Sequence, residues 1–206
     1  MTKVEEIFAK VMSYMFHPLL IPTYTFLIIF NHKYFFFYIL PLKVKLILFA
    51  NVFGFTFLFP GLIIILMHRF AFIKSYAMEM KNERSLPLLL ASVFYYLTYY
   101  LFKIANFPSL MFNYFLITTV ITLIALLINF FWKISLHTIA MGALMGILLS
   151  LYLKLHIDTR LWLLIAIFIS GLTGTARLMI STHTEAQVYT GYLLGFVLMF
   201  SSYFLL

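Results

Sequence analysis

The chain has 206 residues, of which 65% are hydrophobic, 20% aromatic and only 10% charged, and its mean hydropathy is +1.07. Soluble domains carry about 25% charged and about 45–50% apolar residues, so the composition excludes a water-soluble globular fold and matches a polytopic membrane protein. The net charge of +8 does not mark a nucleic-acid binder, because the basic residues stand singly between apolar runs, where they meet anionic lipid headgroups.

No cysteine is present, which removes disulfides and thiolate ligands. The opening ten residues are mixed in charge and no small-residue cleavage site follows the first apolar run, so a removable signal peptide is not expected. Without a linker, a low-complexity tract or a fixed-period repeat, residues 1–206 read as a single integral membrane domain.

A transmembrane helix needs about 20 mostly apolar residues. Charged residues punctuate the chain at about that interval, predicting spans at 14–31, 44–68, 86–103, 110–132, 136–154, 161–181 and 187–206. His17-Pro18 and Pro22 interrupt the first, which reads as a tilted or re-entrant element. The expected fold is therefore all-α, a polytopic transmembrane helix bundle of six or seven spans. Asn106, Pro108 and Ser109 predict a tight turn that makes a hairpin of the third and fourth spans. Lys and Arg residues divide almost evenly between the two sides, so the charge bias does not set the facing.

Small residues mark the last two spans. Gly171, Gly174 and Ala176, with the Gly191/Gly195 pair, predict a close seam between the sixth and seventh spans near His183, with a role in dimerisation as the second reading. His17, His32, His68 and His156 fall near span ends and read as interface anchors, as do the many Tyr and Phe residues.

One consequence of this map is independent of facing. Two spans separate Arg84 from His137 and two more separate His137 from Arg177. "KNERSLP" (81–87), "KISLH" (133–137) and "ARLMISTH" (176–183) therefore emerge on one face of the membrane. Ionisable groups at membrane depth cost several kcal/mol unless paired or wetted, and mark functional sites by default. Arg84, Arg177 and Lys81 suit a phosphate. Two histidines can supply a nucleophile and a proton donor. A catalytic metal is disfavoured, because His137 and His183 stand apart in sequence and Asp158, the only aspartate, maps to the opposite face.

In residues 176–191, "ARLMISTHTEAQVYTG", Arg177 is followed after five residues by His183 and, after three more, by Gln187. With Ser135 and His137 in "ISLH", this spacing resembles the type 2 phosphatidic acid phosphatase superfamily, whose motifs are Lys-x6-Arg-Pro, Pro-Ser-Gly-His and Ser-Arg-x5-His-x3-Asp. The likeness covers about residues 70–206. The second motif lacks its proline and glycine here, and Lys81, Arg84 and Pro87 have the wrong spacing for the first.

What the resemblance implies is a phosphatidic acid phosphatase-like core in a bacterial inner membrane, with the site facing outward and a lipid phosphate or diphosphate as substrate. His183 would be the nucleophile that forms a phosphohistidine, and His137 the acid for the leaving alkoxide. Arg177, Arg84, Ser135 and Lys81 would hold the phosphate, with neither metal nor cofactor. Partners would be membrane lipids and, for the whole protein, a second copy or a larger membrane complex. Gln187 stands where the family has aspartate, so it can orient the His183 ring but cannot supply charge; in a serine protease the Asp-to-Asn change costs about ten-thousand-fold in rate. Glu185 offers a substitute carboxylate only if residues 184–186 form a turn. An alternative is a catalytically impaired relative that binds lipid phosphate or serves as a membrane subunit. A transporter using the buried charges as a pathway is a third reading.

Overall fold

The computed structural model describes residues 2–30, 40–76, 78, 80–180 and 183–205, and no β-strand occurs among them. The helices are α1 (Lys3–Met15), α2 (Ile21–Phe30), α3 (Leu42–Phe53), α4 (Phe59–Arg69), α5 (Lys81–Ile104), α6 (Ser109–Phe131), α7 (Leu136–Leu155), α8 (Arg160–Met179) and α9 (Glu185–Leu205). Five stretches are long and apolar enough to cross a membrane: Leu42–Arg69, Asn82–Ile104, Ser109–Phe131, Leu136–Leu155 and Arg160–Met179. Among the described residues the regular structure is all helical, and its long apolar helices are those of a membrane protein.

The span predicted at 14–31 is not one helix. A capping box starts α1: Thr2 Oγ1 accepts from the Glu5 amide, and the Thr2 amide donates to Glu5 Oε2 at 2.7 Å. Pro18 and Pro22 then forbid a continuous ladder. The Leu20 amide turns back to the His17 carbonyl and the Leu19 amide to His17 Nδ1, which separates α1 from α2. His32, read as an anchor, lies outside the described residues.

By its contacts the chain forms two units, residues 22–132 and, discontinuously, residues 1–21 with 133–206. In the first, α3 and α4 are joined through a π-helical turn, Gly54–Leu58. Pro60 has no amide and its ring crowds the carbonyl four residues back, so the ladder widens and the Phe59 amide reaches Gly54. The predicted α5–α6 hairpin is present, with Asn106 at φ 55° making the turn. Helix α5 begins at Lys81, so "KNERSLP" is its opening two turns rather than a loop.

In the discontinuous unit, α7 and α9 pack along their length on glycines from both. A Cβ at Gly195 would strike the Ile139 carbonyl, one at Gly142 the Tyr192 carbonyl, one at Gly146 would meet the Phe196 carbonyl at 2.7 Å, and one at Gly191 the Ser135 carbonyl at 2.8 Å. Gly191 and Gly195 thus seat the last helix on α7, not on α8 as the sequence reading had it. Gly171 faces open space and Gly174 makes only ordinary contact with Val188. Short residues permit this approach because dispersion between close backbones, not the hydrophobic effect, holds helices together in lipid. Helix α8 packs on α7, and α1 packs on the last turns of α8, burying Ala9 and Met12 against Ala176.

Candidate functional site

The glycine seam brings the first turns of α7 and α9 side by side, where the Ser135 amide donates to the Gln187 carbonyl at 3.3 Å. Ser135 precedes α7 as its N-cap without using its side chain to cap; Oγ is fully buried and has no hydrogen-bond partner among the described residues. A buried hydroxyl left unpaired is costly and invites a ligand or water.

At the head of α9, Thr184 and Gln187 form a second capping box. The Gln187 amide donates to Thr184 Oγ1 at 3.4 Å and the Thr184 amide donates to Gln187 Oε1 at 3.3 Å. The backbone donor fixes which end of the glutamine amide is oxygen. The same oxygen lies 3.0 Å from His183 Nδ1. Since it can only accept, Nδ1 carries the proton, which makes Nε2 the unprotonated nitrogen of the neutral ring. His183 is itself buried.

Arg177, in the last turn of α8, is buried at 8% exposure and donates from NH1 to Ser13 Oγ at 3.0 Å. The Ser13 carbonyl accepts from His137 Nε2 at 3.2 Å. This carbonyl belongs to the last turn of α1, where carbonyls have no partner within the helix. The His17 ring meets His137 edge-on, with centroids 5.6 Å apart. Burial first, and then the charge of Arg177, push the His17 imidazole down to about 4. The Arg177 guanidinium is also the main charge acting on the buried His137 ring.

This end of the unit therefore holds a guanidinium, three imidazoles, two serines and a glutamine within reach of one another's fields. It can hold a compact anion, offer it a nucleophilic nitrogen and exchange protons with it. Among the described residues no three His, Asp or Glu side chains are placed to share a metal ion.

No family model, curated protein or solved structure matches this chain.

Arg84 and Lys81 belong to the unit of residues 22–132. Arg84 is buried near the start of α5 and donates from Nε to the Met78 carbonyl at 2.8 Å, while the side chain of Lys81 lies outside the described residues. Glu185 lies in the first helical turn of α9 and is exposed, so it complements the helix dipole while Gln187 takes the position beside the histidine. Two site residues escape the sequence reading, Ser13 and His17. The Thr2-x-x-Glu5 signature was the available signal that residues 3–15 form a separate helix; the contacts of its last turn leave no sequence signal.

Proposed function

We propose that the chain is an integral membrane phosphohydrolase of the type 2 phosphatidic acid phosphatase kind, acting on a lipid phosphate or diphosphate. The observation that carries this reading is the His183 Nδ1 to Gln187 Oε1 hydrogen bond of 3.0 Å, made across the spacing at which the family places its nucleophile and orienting residue. In the proposed reaction His183 Nε2 attacks phosphorus, forming an N–P bond as the bond to the lipid alkoxide breaks. His137, in its imidazolium form, gives its Nε2 proton to that alkoxide and becomes neutral. Water then attacks the phosphohistidine, His137 takes a proton from it, and phosphate leaves with His183 restored. Arg177 spreads its two amino nitrogens over the phosphoryl oxygens, where charge builds in the transition state. Ser135 Oγ is a further donor for them.

The test is phosphate release by detergent-purified protein from a panel of lipid phosphates, with chelator present. Wild type is expected to release phosphate, and His183→Ala to lose at least about a thousand-fold while remaining folded. An alanine variant as active as wild type would refute the assignment. One observation favours a second reading, a lipid-phosphate-binding protein of slow or absent turnover: His183 rests on a neutral amide, and the proton of His137 is already given to Ser13. Binding of lipid phosphate without release by wild type would select it.

A further inference from the structure

Helix α1 presents three faces. Ala9 and Met12, with Phe8 and Phe16 beside them, turn toward α8. Lys3, Glu6 and Lys10 form a charged edge, with Lys10 and Glu6 paired. The third face is apolar and uncovered: Val4 is 76% exposed, Ile7 54%, Val11 47% and Tyr14 74%. Their spacing of three and four residues lines them up as one stripe.

Thirteen residues of helix measure about 20 Å, too short for a hydrocarbon core of about 30 Å. The capping box closes one end and the break at Phe16–Leu20 the other, so the helix cannot lengthen to span. It is seated on the final turns of a membrane-crossing helix, which is where the boundary between lipid and water falls. A short helix with an apolar stripe, a charged edge and this location suits a phospholipid surface. Its last turn, meanwhile, occupies the polar site, with Ser13 on Arg177 through Oγ and on His137 through the carbonyl.

We infer that α1 is a lipid-surface helix that stoppers the Arg177–His137 site: its Val4, Ile7, Val11 and Tyr14 stripe lies in the headgroup layer, and Ser13 yields both contacts when a phosphate arrives. The stopper half rests on the phosphate reading above; the lipid half does not. A phosphate oxygen is the stronger acceptor for a guanidinium than a neutral hydroxyl. Release of the Ser13 carbonyl also turns His137 Nε2–H toward the leaving group while the bound anion favours the imidazolium form, so one displacement opens the site and arms its acid.

Two measurements test this. The chain lacks cysteine, so single nitroxide labels can be placed by Ile7→Cys, Val11→Cys, Tyr14→Cys and Lys10→Cys in protein reconstituted in phosphatidylcholine nanodiscs. The first three are expected at one shared, shallow depth, accessible to dissolved oxygen and shielded from a water-soluble nickel chelate, with Lys10→Cys reversed. Depth rising steadily from Ile7 to Tyr14, or water exposure at all four, overturns the surface helix. Hydrogen exchange of unmodified protein with and without orthovanadate, its binding followed by calorimetry, tests the stopper. Faster exchange across residues 12–20 on binding is expected, by about threefold or more. Vanadate that binds while that segment stays unchanged overturns the stopper and spares the phosphate reading. Vanadate that does not bind overturns both, and the label depths still decide the surface helix.

Discussion

Replacing Gln187 with glutamate isolates the one charge the site lacks. Gln187 Oε1 sits 3.0 Å from His183 Nδ1 and 3.3 Å from the Thr184 amide, and glutamate has the same reach, so both contacts survive. Aspartate, the residue at this position in the phosphatase motif, is shorter by one carbon, about 1.5 Å, and cannot reach from this backbone without moving α9. A hydrogen bond to a charged group is worth about 1.5–3 kcal/mol and a neutral one about 1. The difference, about 1 kcal/mol, sets a floor of about fivefold in rate. The serine-protease comparison, about ten-thousand-fold for loss of the orienting charge, sets the ceiling. The assay is steady-state phosphate release in nanodiscs at saturating lipid phosphate, with Gln187→Leu as the variant that removes the acceptor. Turnover is expected to rise at least fivefold in Gln187→Glu and to fall below wild type in Gln187→Leu. A glutamate variant as stable as wild type but no faster would refute the claim that Gln187 orients the nucleophile.

Gly195→Ala places a methyl against the Ile139 backbone, which cannot swing aside, and should lower stability by about 1–3 kcal/mol, whereas Gly171→Ala meets nothing and should gain about 0.5–1; thermal midpoints in detergent compare them. Arg177→Lys keeps the charge but loses the planar fork, and should raise KM for lipid phosphate about tenfold or more while an unrelated surface lysine change does not. Because the folded His17 ring stays neutral to about 4 and the unfolded one titrates near 6.5, only the unfolded chain gains this proton as pH falls between those values. Stability should decline over that window, and the decline should be shallower in His17→Phe; parallel curves for the two proteins would contradict the burial argument.

Much of the helix map was legible in the sequence because lipid leaves a chain few choices: from Leu42 onward the predicted spans lie on helices within a few residues, and five of them, all but the one predicted at 187–206, fall among the stretches long and apolar enough to cross a membrane. The spacing of Arg177, His183 and Gln187 was legible too, since four residues along the head of α9 bring His183 and Gln187 together through local geometry alone. What failed was partner choice. Gly191 and Gly195 announced a close approach, but nothing local said that Gly142 and Gly146 on α7 would answer them rather than Gly171 and Gly174 on α8. Ser13 and His17 were opaque for the same reason, because their roles come from a helix packed far along the chain. Prolines gave the break after Phe16 but not where the detached helix would settle.

The unit that carries the site is discontinuous, residues 1–21 completed by residues 133–206 with the whole of 22–132 between. During synthesis Ser13 and His17 leave the ribosome long before Arg177 and His183 exist. Helix α1 is made before the intervening spans, and the polar cluster has no complete form until His183 and Gln187 have followed. A ribosome that stops after α8 yields a chain that has Arg177 but neither His183 nor Gln187, so the cluster is completed only by residues made late in synthesis.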